Sequence, residues 1–272
     1  MVLRRLGILG SLALLPAFAQ VSSAPLQDTT EQIAHRQHGP IRDFHDHGDG
    51  TSTSTNWSGY AVTGTSFTSA KGSWTVPTAN CSGVSEDQYA SFWVGIDGYS
   101  STTVEQTGTD SDCDRTRPSY YAWYEFYPHP SINISSLAIS PGNQISASVT
   151  YSGSEFTITI TNETTGKSYT KSSTVSGAQR SSAEWIAEAP CCTGRSGILP
   201  LSDFGTVFFG PDYTGVSGTN DATESSHSGN IGSFPSADIE EINKVSSSTS
   251  PQTSTCTSLT SDGASFSCTW AP

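Results

Sequence analysis

The chain has few charged residues and very few basic ones. Lys and Arg number 12, and Asp and Glu number 25, so charged side chains make up 14 % of the 272 residues against about 25 % in typical globular domains. A net charge of −13 leaves too few cations for a phosphate-binding patch, which argues against nucleic acid as a partner. Because carboxylates become neutral in strong acid, the shortage of bases also limits self-repulsion there.

The motifs of several common hydrolases are also absent. The sequence contains no Gly-x-Ser-x-Gly, no His-Glu-x-x-His, and no Asp-Thr-Gly or Asp-Ser-Gly. After Thr55 only His129 and His227 remain, so a Ser or Cys triad would need one of these two. Both are flanked by residues typical of loops, and we interpret them as surface histidines.

No strong metal motif takes their place. Asp110, Asp112 and Asp114 have the spacing that opens an EF-hand loop, but Arg115 and Tyr121 stand where that loop needs Gly and Glu. We therefore predict neither a metal nor any other cofactor.

The first 19 residues have the pattern of a secretory signal peptide. Arg4 and Arg5 precede an apolar stretch from Leu6 to Phe18, and Ala17-Phe18-Ala19 is a small-x-small cleavage pattern. An ordinary core helix is the alternative. No later apolar run approaches the roughly 20 residues of a membrane span. We expect a secreted, extracellular protein without a membrane anchor.

Residues 20–51 are interpreted as a pro-segment, followed by one domain over residues 52–272. The segment holds four of the six histidines and little apolar periodicity. Histidine protonation would change its charge from acidic to slightly basic as the pH falls. We hypothesise that it covers and inhibits the cleft until acid removes it. A disordered linker and a metal site at His45-Asp46-His47 are the alternatives.

The sequence of the domain predicts an all-β fold, a two-sheet antiparallel sandwich. From Asn56 onward, short β-branched and aromatic runs alternate with Gly, Ser, Asn and Pro, a pattern typical of sandwiches and barrels. About a dozen strands need two packed sheets. The candidate strands are Lys71–Val76, Tyr89–Ile96, Thr103–Thr107, Tyr120–Tyr127, Gln144–Tyr151, Phe156–Thr161, Lys167–Ser173, Ser182–Ala187, Gly205–Phe209, Ile239–Val245 and Ser265–Trp270.

Six cysteines in a secreted chain imply disulfides. Cys256 and Cys268 are the easiest pair, because they close a short predicted hairpin. The pairing of the other four, Cys81, Cys113, Cys191 and Cys192, stays open. Four Asn-x-Ser/Thr sequons, at Asn56, Asn80, Asn133 and Asn162, are possible glycosylation sites and are compatible with secretion.

Carboxylates and amides set among aromatic residues are the remaining candidates for chemistry. Alternation along a strand places Trp93, Gly95 and Asp97 on one face, and likewise Trp123 with Glu125 and Glu184 with Ile186. Acidic groups beside tryptophans on one sheet face describe a substrate cleft. Glu105 and Glu188 are interpreted instead as hydrated carboxylates at strand edges.

Six ordered motifs resemble those of the glutamic peptidases, or eqolisins. They are Asn56-Trp57-Ser58-Gly59-Tyr60, Gly72-Ser73-Trp74-Thr75-Val76-Pro77, Trp93-Val94-Gly95-Ile96-Asp97-Gly98, Gln106-Thr107-Gly108, Trp123-Tyr124-Glu125 and Ala183-Glu184-Trp185-Ile186. The resemblance covers residues 56–209 best. It implies a concanavalin-like β-sandwich, a secreted acid endopeptidase, and a catalytic pair formed by Gln106 and Glu184. It also implies cleft residues at Trp57, Trp93, Asp97, Asp110 and Glu125.

Two side chains can cover the tasks of peptide hydrolysis. Glu184 would take a proton from a bound water and pass it to the leaving amine. Gln106 would orient that water and donate its amide N–H to the oxyanion. We expect a monomer that acts on protein or peptide substrates.

A glycoside hydrolase or a carbohydrate-binding lectin on the same sandwich is the alternative. A tryptophan-lined cleft with two acids such as Glu125 and Glu184 also suits sugars. Gln106 in its motif separates the two hypotheses, because a two-carboxylate hydrolase does not need it.

Overall fold

The computed structural model describes residues 31–33, 36–192 and 197–272. The predicted signal peptide and residues 20–30 of the predicted pro-segment lie outside this range. Within the described residues the structure is almost entirely β. The strands in the first half are β1 Glu31–Ile33, β2 Arg36–Gln37, β3 His45–Asp46, β4 Thr51–Ser54, β5 Trp57–Thr63, β6 Ser69–Thr75, β7 Ser91–Ile96, β8 Val104–Asp114, β9 Arg117–Tyr127 and β10 Ile132–Ile134.

The second half continues this pattern with one short helix, α1 Pro211–Thr214, and one 3-10 turn, Ile231–Ser233. Its strands are β11 Gln144–Ser152, β12 Glu155–Asn162, β13 Lys167–Ser173, β14 Ser182–Glu188, β15 Cys191–Cys192, β16 Thr206–Phe209, β17 Asp221–Thr223, β18 Ser228–Asn230, β19 Ile239–Lys244, β20 Thr253–Cys256 and β21 Phe266–Ala271. Within the described residues, no helix is long and apolar enough to cross a membrane.

The first layer contains the strands that carry the predicted site. Its central order is β9, β8, β7, β14, β5 and β19, all antiparallel to their neighbours. The β8–β9 hairpin is the longest pairing, running from Val104 opposite Tyr127 to Asp114 opposite Arg117. This hairpin and β14 therefore bring sequence-distant residues onto one continuous surface.

The second layer runs through β13, β12, β11, β6, β16, β21 and β20. The alternation of β12 matches this placement, because Phe156, Ile158 and Ile160 are buried while the threonines between them are partly exposed. The buried faces of the two layers share one large apolar cluster, which includes Val94 and Trp185. Burial of such apolar faces is the main force that holds two sheets together.

The layers are connected where Lys244 of β19 pairs with Ser254 of β20. The Lys244 ammonium is 2 % exposed and donates to the carbonyls of Val245, Ser250 and Gln252. Burial lowers the pKa of Lys244 to about 8. Its three carbonyl acceptors offset the cost of burying the charge.

The predicted two-sheet sandwich is confirmed, with additions at its edges. The sequence did not predict strands β4, β5 and β20. Strand β5 pairs with β14 and β19, and β20 pairs with β19 and β21. Strand β4 pairs with β19 in parallel, whereas an antiparallel arrangement was expected throughout. The segment Trp57–Thr63 shows no clean alternation of apolar and polar residues, because nearly all of it is buried on both faces.

The described disulfides confirm one pairing and supply another. Cys256 bonds to Cys268, as predicted, and joins β20 to β21. Cys81 bonds to Cys113 near the end of β8, a pairing that the sequence left open. Asn56 and Asn162 are both buried and donate hydrogen bonds through their amides, so these two sequons are inaccessible in the folded protein.

Glu105 does not lie at a hydrated strand edge, and this interpretation was wrong. Its carboxyl is fully buried, opposite Ile96 and Phe126. Burial raises its pKa to about 9, and the neighbouring Asp97 carboxylate adds to the shift. The folded protein therefore holds a proton on Glu105 that the unfolded chain releases above about pH 4.5.

Because the pKa of Glu105 is raised in the folded state, we expect the free energy of unfolding to fall as the pH rises from about 4.5 to about 9. In that window the native state binds more protons than the unfolded state, so the free energy of unfolding decreases with pH. Glu105→Gln removes the ionisation and should stabilise the protein by ~3 kcal/mol near pH 8, with little change near pH 4. Urea unfolding at both pH values measures this. Glu155→Gln at an exposed position is the matched control, and an unchanged pH slope in Glu105→Gln would contradict the prediction.

Candidate active site

The predicted dyad residues lie in one row across three neighbouring strands. Gly95 of β7 is paired with Gln106 on one side and with Glu184 on the other. Residues paired directly across antiparallel strands project to the same face. The backbones of Gln106 and Glu184 are therefore two strand spacings apart, about 10 Å.

The absence of a side chain at Gly95 keeps the space between the two residues open. A Cβ placed there would lie 2.9 Å from the Trp93 ring and 3.3 Å from the Cβ of Gln106, and the first is closer than real Cβ contacts. Glycine at this position therefore leaves room for a small group between the amide and the carboxyl.

Glu184 is fully buried, and neither of its oxygens accepts a hydrogen bond by strict geometry from any described residue. Burial raises its pKa well above the ordinary value, and the nearby carboxyl groups of Asp97 and Glu105 contribute to the same shift. In the structure as described, the Glu184 carboxyl is therefore protonated and neutral under acidic conditions. A side-chain contact with Ser182 acts on this pKa in the opposite direction.

Tryptophans form the floor of the cleft. Trp57 and Trp93 pack edge to face with centroids 5.0 Å apart, and Trp123 and Ile186 belong to the same buried cluster. The Trp93 indole donates to Glu188 at 2.8 Å. Glu188 is 1 % exposed, so the interpretation of this residue as a hydrated edge carboxylate was also wrong.

Asp110 and Glu125 occupy the same face on the β8–β9 hairpin. The Trp123 indole donates to Asp110 at 2.6 Å, and the Tyr121 hydroxyl lies 2.7 Å from the other oxygen of Asp110. Glu125 lies directly opposite Gln106. The structure thus gathers Trp57, Trp93, Asp110 and Glu125 around the dyad row.

Asp97 differs from these residues in its contacts. Its carboxylate accepts hydrogen bonds from the backbone N–H groups of Gln179, Arg180 and Ser181, at 2.7–2.9 Å. These donors belong to the loop that leads into β14. The geometry therefore gives Asp97 a role in positioning the strand of Glu184, whereas direct contact with substrate stays a prediction.

The cleft contains a segment of the chain itself. β2 pairs with β15, and the next residue, His38, is 1 % exposed. Its imidazole stacks on Trp123 with centroids 3.6 Å apart. The side-chain amide of Gln106 donates to the His38 carbonyl, and the His38 N–H donates to Glu125 at 2.8 Å. Both backbone polar groups of His38 are thus bound by the cleft.

Two carboxylates surround the His38 ring. Its Nδ1 lies 3.1 Å from Glu125, and its Nε2 lies 3.6 Å from Asp110. Burial alone would lower the pKa of His38, but hydrogen bonds and the charges of these two residues outweigh it and raise the pKa to about 10. His38 is therefore already an imidazolium at neutral pH. The expected charge change on histidine does not occur at this residue. Acid acts there on Glu125, whose pKa is raised by burial.

Several residues that complete the cleft were not singled out from the sequence as cleft residues. Asp112 and Tyr121 lie one alternation step from Asp110 and Trp123, so period two along β8 and β9 could have found them. Asn56 holds the entering segment by accepting from the Arg42 N–H and donating to the Pro40 carbonyl. No group of three or more metal-ligating side chains gathers within the described ranges.

The geometry does not favour the two-carboxylate alternative. Glu125 and Glu184 stand on strands separated by β8 and β7, three strand spacings or about 14 Å between backbones. A glycosidase pair needs its two carboxyl groups on either side of one scissile bond. Gln106 occupies the position between them.

The sandwich and its cleft define a β-protein that holds an extended segment of its own chain against one sheet. Residues 55–270 match the profile of the peptidase A4 family, and the chain belongs to this family. It is 36 % identical over 178 residues to aspergillopepsin-2 of Aspergillus niger, an alignment that covers 57 % of this chain and 62 % of that protein. The chain thus spans less than two thirds of this curated relative.

Solved structures give a longer match. Scytalido-glutamic peptidase with a transition state analog inhibitor is 28 % identical, with a TM-score of 0.64, and covers 80 % of this chain and 98 % of its own. A member of the eqolisin family of peptidases in complex with the tripeptide Ala-Ile-His matches with a TM-score of 0.60, 28 % identity and the same coverage.

Proposed function

We propose that the protein is a secreted acid endopeptidase that hydrolyses peptide bonds with Gln106 and Glu184. The observation that carries the proposal is the peptide at the cleft centre, whose His38 carbonyl accepts a hydrogen bond from the Gln106 amide. An amide that binds a peptide carbonyl in the ground state is suited to bind the oxyanion formed from such a carbonyl. The eqolisin relative that holds a tripeptide ending in His supports the same use of the cleft.

Glu184 supplies the proton transfers in this proposal. As a carboxylate it removes a proton from a water lying between the two side chains, and as an acid it then gives a proton to the departing nitrogen. Such a role contributes about 10² to 10⁴ in rate. Burial raises the pKa of Glu184 in the structure, so hydration of the cleft when it opens would lower this pKa and form the base.

Gln106 orients the water and stabilises the oxyanion. Its amide keeps its donor at every pH, whereas a second carboxyl would change its protonation across the acid range. One aimed donor of this kind is worth roughly 3 to 4 kcal/mol. These two side chains therefore cover nucleophile activation, oxyanion stabilisation and leaving-group protonation.

The segment from Arg36 to Arg42 supports the role of residues 20–51 as an inhibitory pro-segment. It places a peptide on Gln106 and stacks an imidazolium on Trp123, so substrate and segment compete for one surface. Burial raises the pKa of Glu125, so acid protonates this carboxylate first, removes a charged partner of His38 and weakens the binding of the segment. We propose that the signal peptide, residues 1–19, directs secretion and that the domain 52–272 remains after processing as a monomer.

Digestion of denatured haemoglobin by the processed protein at about pH 3 tests the proposed activity. We expect peptide release that an aspartic-peptidase inhibitor does not reduce, because the cleft has one carboxyl and one amide at its centre. Pepsin treated with the same inhibitor is the control for inhibition. Absence of proteolysis across the range from about pH 2 to about pH 7 would refute the proposed function.

A further inference from the structure

Glu188 ends the strand that carries Glu184 and projects to the same side of it. The two residues are four positions apart on β14 with Ile186 between them, so alternation places all three on the cleft face. Glu188 lies opposite Trp57 of β5 and Ser91 of β7. It is 1 % exposed and has no task in the proposed proton transfers, so the burial of this carboxyl needs another explanation.

Two hydrogen bonds reach the Glu188 carboxyl, one at each oxygen. The Trp93 indole N–H donates to one oxygen at 2.8 Å, and the Asn56 side-chain amide donates to the other at 3.4 Å. Burial raises the pKa of Glu188 to about 8 and the Glu125 charge adds to the shift, whereas the two hydrogen bonds and the His38 charge oppose it. The carboxyl is therefore neutral throughout the acid range, and its carbonyl oxygen remains an acceptor for the indole there.

The Trp93 ring extends from Glu188 to the centre of the dyad row. Its indole nitrogen contacts Glu188, and its six-membered ring lies where a Cβ at Gly95 would be only 2.9 Å away. Gly95 is paired with both Gln106 and Glu184. This edge of the ring therefore borders the space in which the two side chains act, and its orientation sets the shape of that space.

Packing restrains the base of the Trp93 side chain, whereas the hydrogen bond fixes the direction of its nitrogen. A Cβ at Gly108 would lie 2.7 Å from the Cβ of Trp93, and the Trp57 ring packs edge to face with the indole at 5.0 Å between centroids. Aromatic pairs tolerate a range of tilts and offsets. A buried indole N–H without an acceptor is unfavourable, so the acceptor oxygen of Glu188 selects one orientation of the ring.

We propose that Glu188 is a positioning residue of the peptidase reaction, which holds the Trp93 ring against Gly95 by accepting the indole hydrogen bond. The ring then forms a fixed wall beside the water and the carbonyl on which Gln106 and Glu184 act. Displacement of groups at a reacting centre by about 1 Å can lower a rate about 10²-fold. The inference rests on the proposed function, because it gives Glu188 a task in that reaction. This task is the acceptance of a hydrogen bond, without proton transfer to or from the substrate.

Glu188→Leu and Glu188→Gln test the acceptor, because leucine removes it and glutamine replaces it with an amide oxygen. The substrate is a quenched fluorescent peptide that spans one site at which the processed enzyme cuts haemoglobin. We expect Glu188→Leu to lower kcat about tenfold or more and to change KM by less than about threefold. Glu188→Gln should keep kcat within about threefold of the wild-type value from about pH 3 to about pH 5. Glu155→Leu, at an exposed position of β12, makes the same change in the second layer and should leave both constants unchanged.

A double-mutant cycle with Trp93→Phe separates positioning from a general loss of stability. Phenylalanine removes the indole N–H, so an acceptor at Glu188 has no further use in that background. Trp93→Phe should lower kcat about as much as Glu188→Leu, and the double variant should lose no more than about twofold further. Thermal unfolding of each variant reports stability, which a merely structural Glu188 would change without this non-additive effect on kcat.

All variants are compared as processed chains. Tagged wild-type enzyme converts each precursor in acid and is then removed, so processing does not limit the measurement. Wild-type kcat in Glu188→Leu, or a loss in Glu188→Gln as large as in Glu188→Leu, would overturn the positioning role and leave the peptidase function standing. If Glu188→Leu does not fold, wild-type kcat in Trp93→Phe or a large loss in Glu188→Gln overturns the role, and the opposite pair of results supports it. Failure of the unmutated enzyme to cleave haemoglobin would instead refute the proposed function itself.

Discussion

Glu184→Gln should abolish turnover of denatured haemoglobin while the protein keeps its fold. The substitution preserves size and removes the only group in the Gln106–Gly95–Glu184 row that can accept and return a proton. Because neither Glu184 oxygen accepts a hydrogen bond by strict geometry from a described residue, the exchange breaks no strong internal contact. Rates of peptide release and thermal unfolding curves measure the two expectations.

Gln106→Ala should lower turnover by at least about a hundredfold through loss of the oxyanion donor. Its effect should fall mainly on kcat, since the interaction strengthens as the carbonyl becomes tetrahedral. Glu163→Gln, at an exposed position in the second layer, is the matched control for the Glu-to-Gln exchange and should retain full activity. Wild-type turnover in either the Glu184→Gln or the Gln106→Ala variant would show that the dyad assignment is wrong.

Acid should convert the precursor to a shorter form, and the Glu184→Gln precursor should remain long. We expect incubation at about pH 3 to 4 to produce an N-terminus near Thr51 to Asn56, because protonation of Glu125, whose pKa is raised by burial, releases His38. Residues 42–49 are exposed and precede β4, which pairs with β19. The cut should therefore fall at the early end of that range. N-terminal sequencing over time measures it.

Variants of the segment 36–42 test whether electrostatic contacts hold it in the cleft. Removal of the imidazolium by His38→Ala should shift half-maximal processing upward by about one pH unit, because less protonation is then needed to open the cleft. His45→Ala changes the same residue type at an exposed position of the same segment and should leave the midpoint in place. Cleavage of the Glu184→Gln precursor at the wild-type rate would assign processing to another peptidase.

The sequence indicated correctly which residues share a face, because period two is a local property of each strand. It placed Trp123 with Glu125 and Glu184 with Ile186, and the structure has both pairs in the cleft. The shared partner Gly95, however, depends on β7 lying between β8 and β14. Strand order is set by long-range packing, and nothing in the residues near Gln106 specifies it.

Burial was the least predictable property. Glu105 and Glu188 have polar and small neighbours in the sequence, yet both are enclosed by strands from distant parts of the chain. The position of His38 in the cleft could not be predicted either, because it depends on residues that are distant in the sequence. Its segment has no apolar pattern, and what holds it is the combination of Trp123, Asp110 and Glu125 that only the folded hairpin presents.

One hairpin, β8–β9, carries most of the contacts to the seated segment, whereas Glu184 comes from β14. Peptide binding and proton transfer therefore depend on different strands. A single substitution of Glu184 should remove proton transfer and leave binding in place. The inactive Glu184→Gln variant should still bind extended peptides through the β8–β9 hairpin. It would serve as a trap that retains substrates from a protein mixture, and so identify the sequences that the cleft binds.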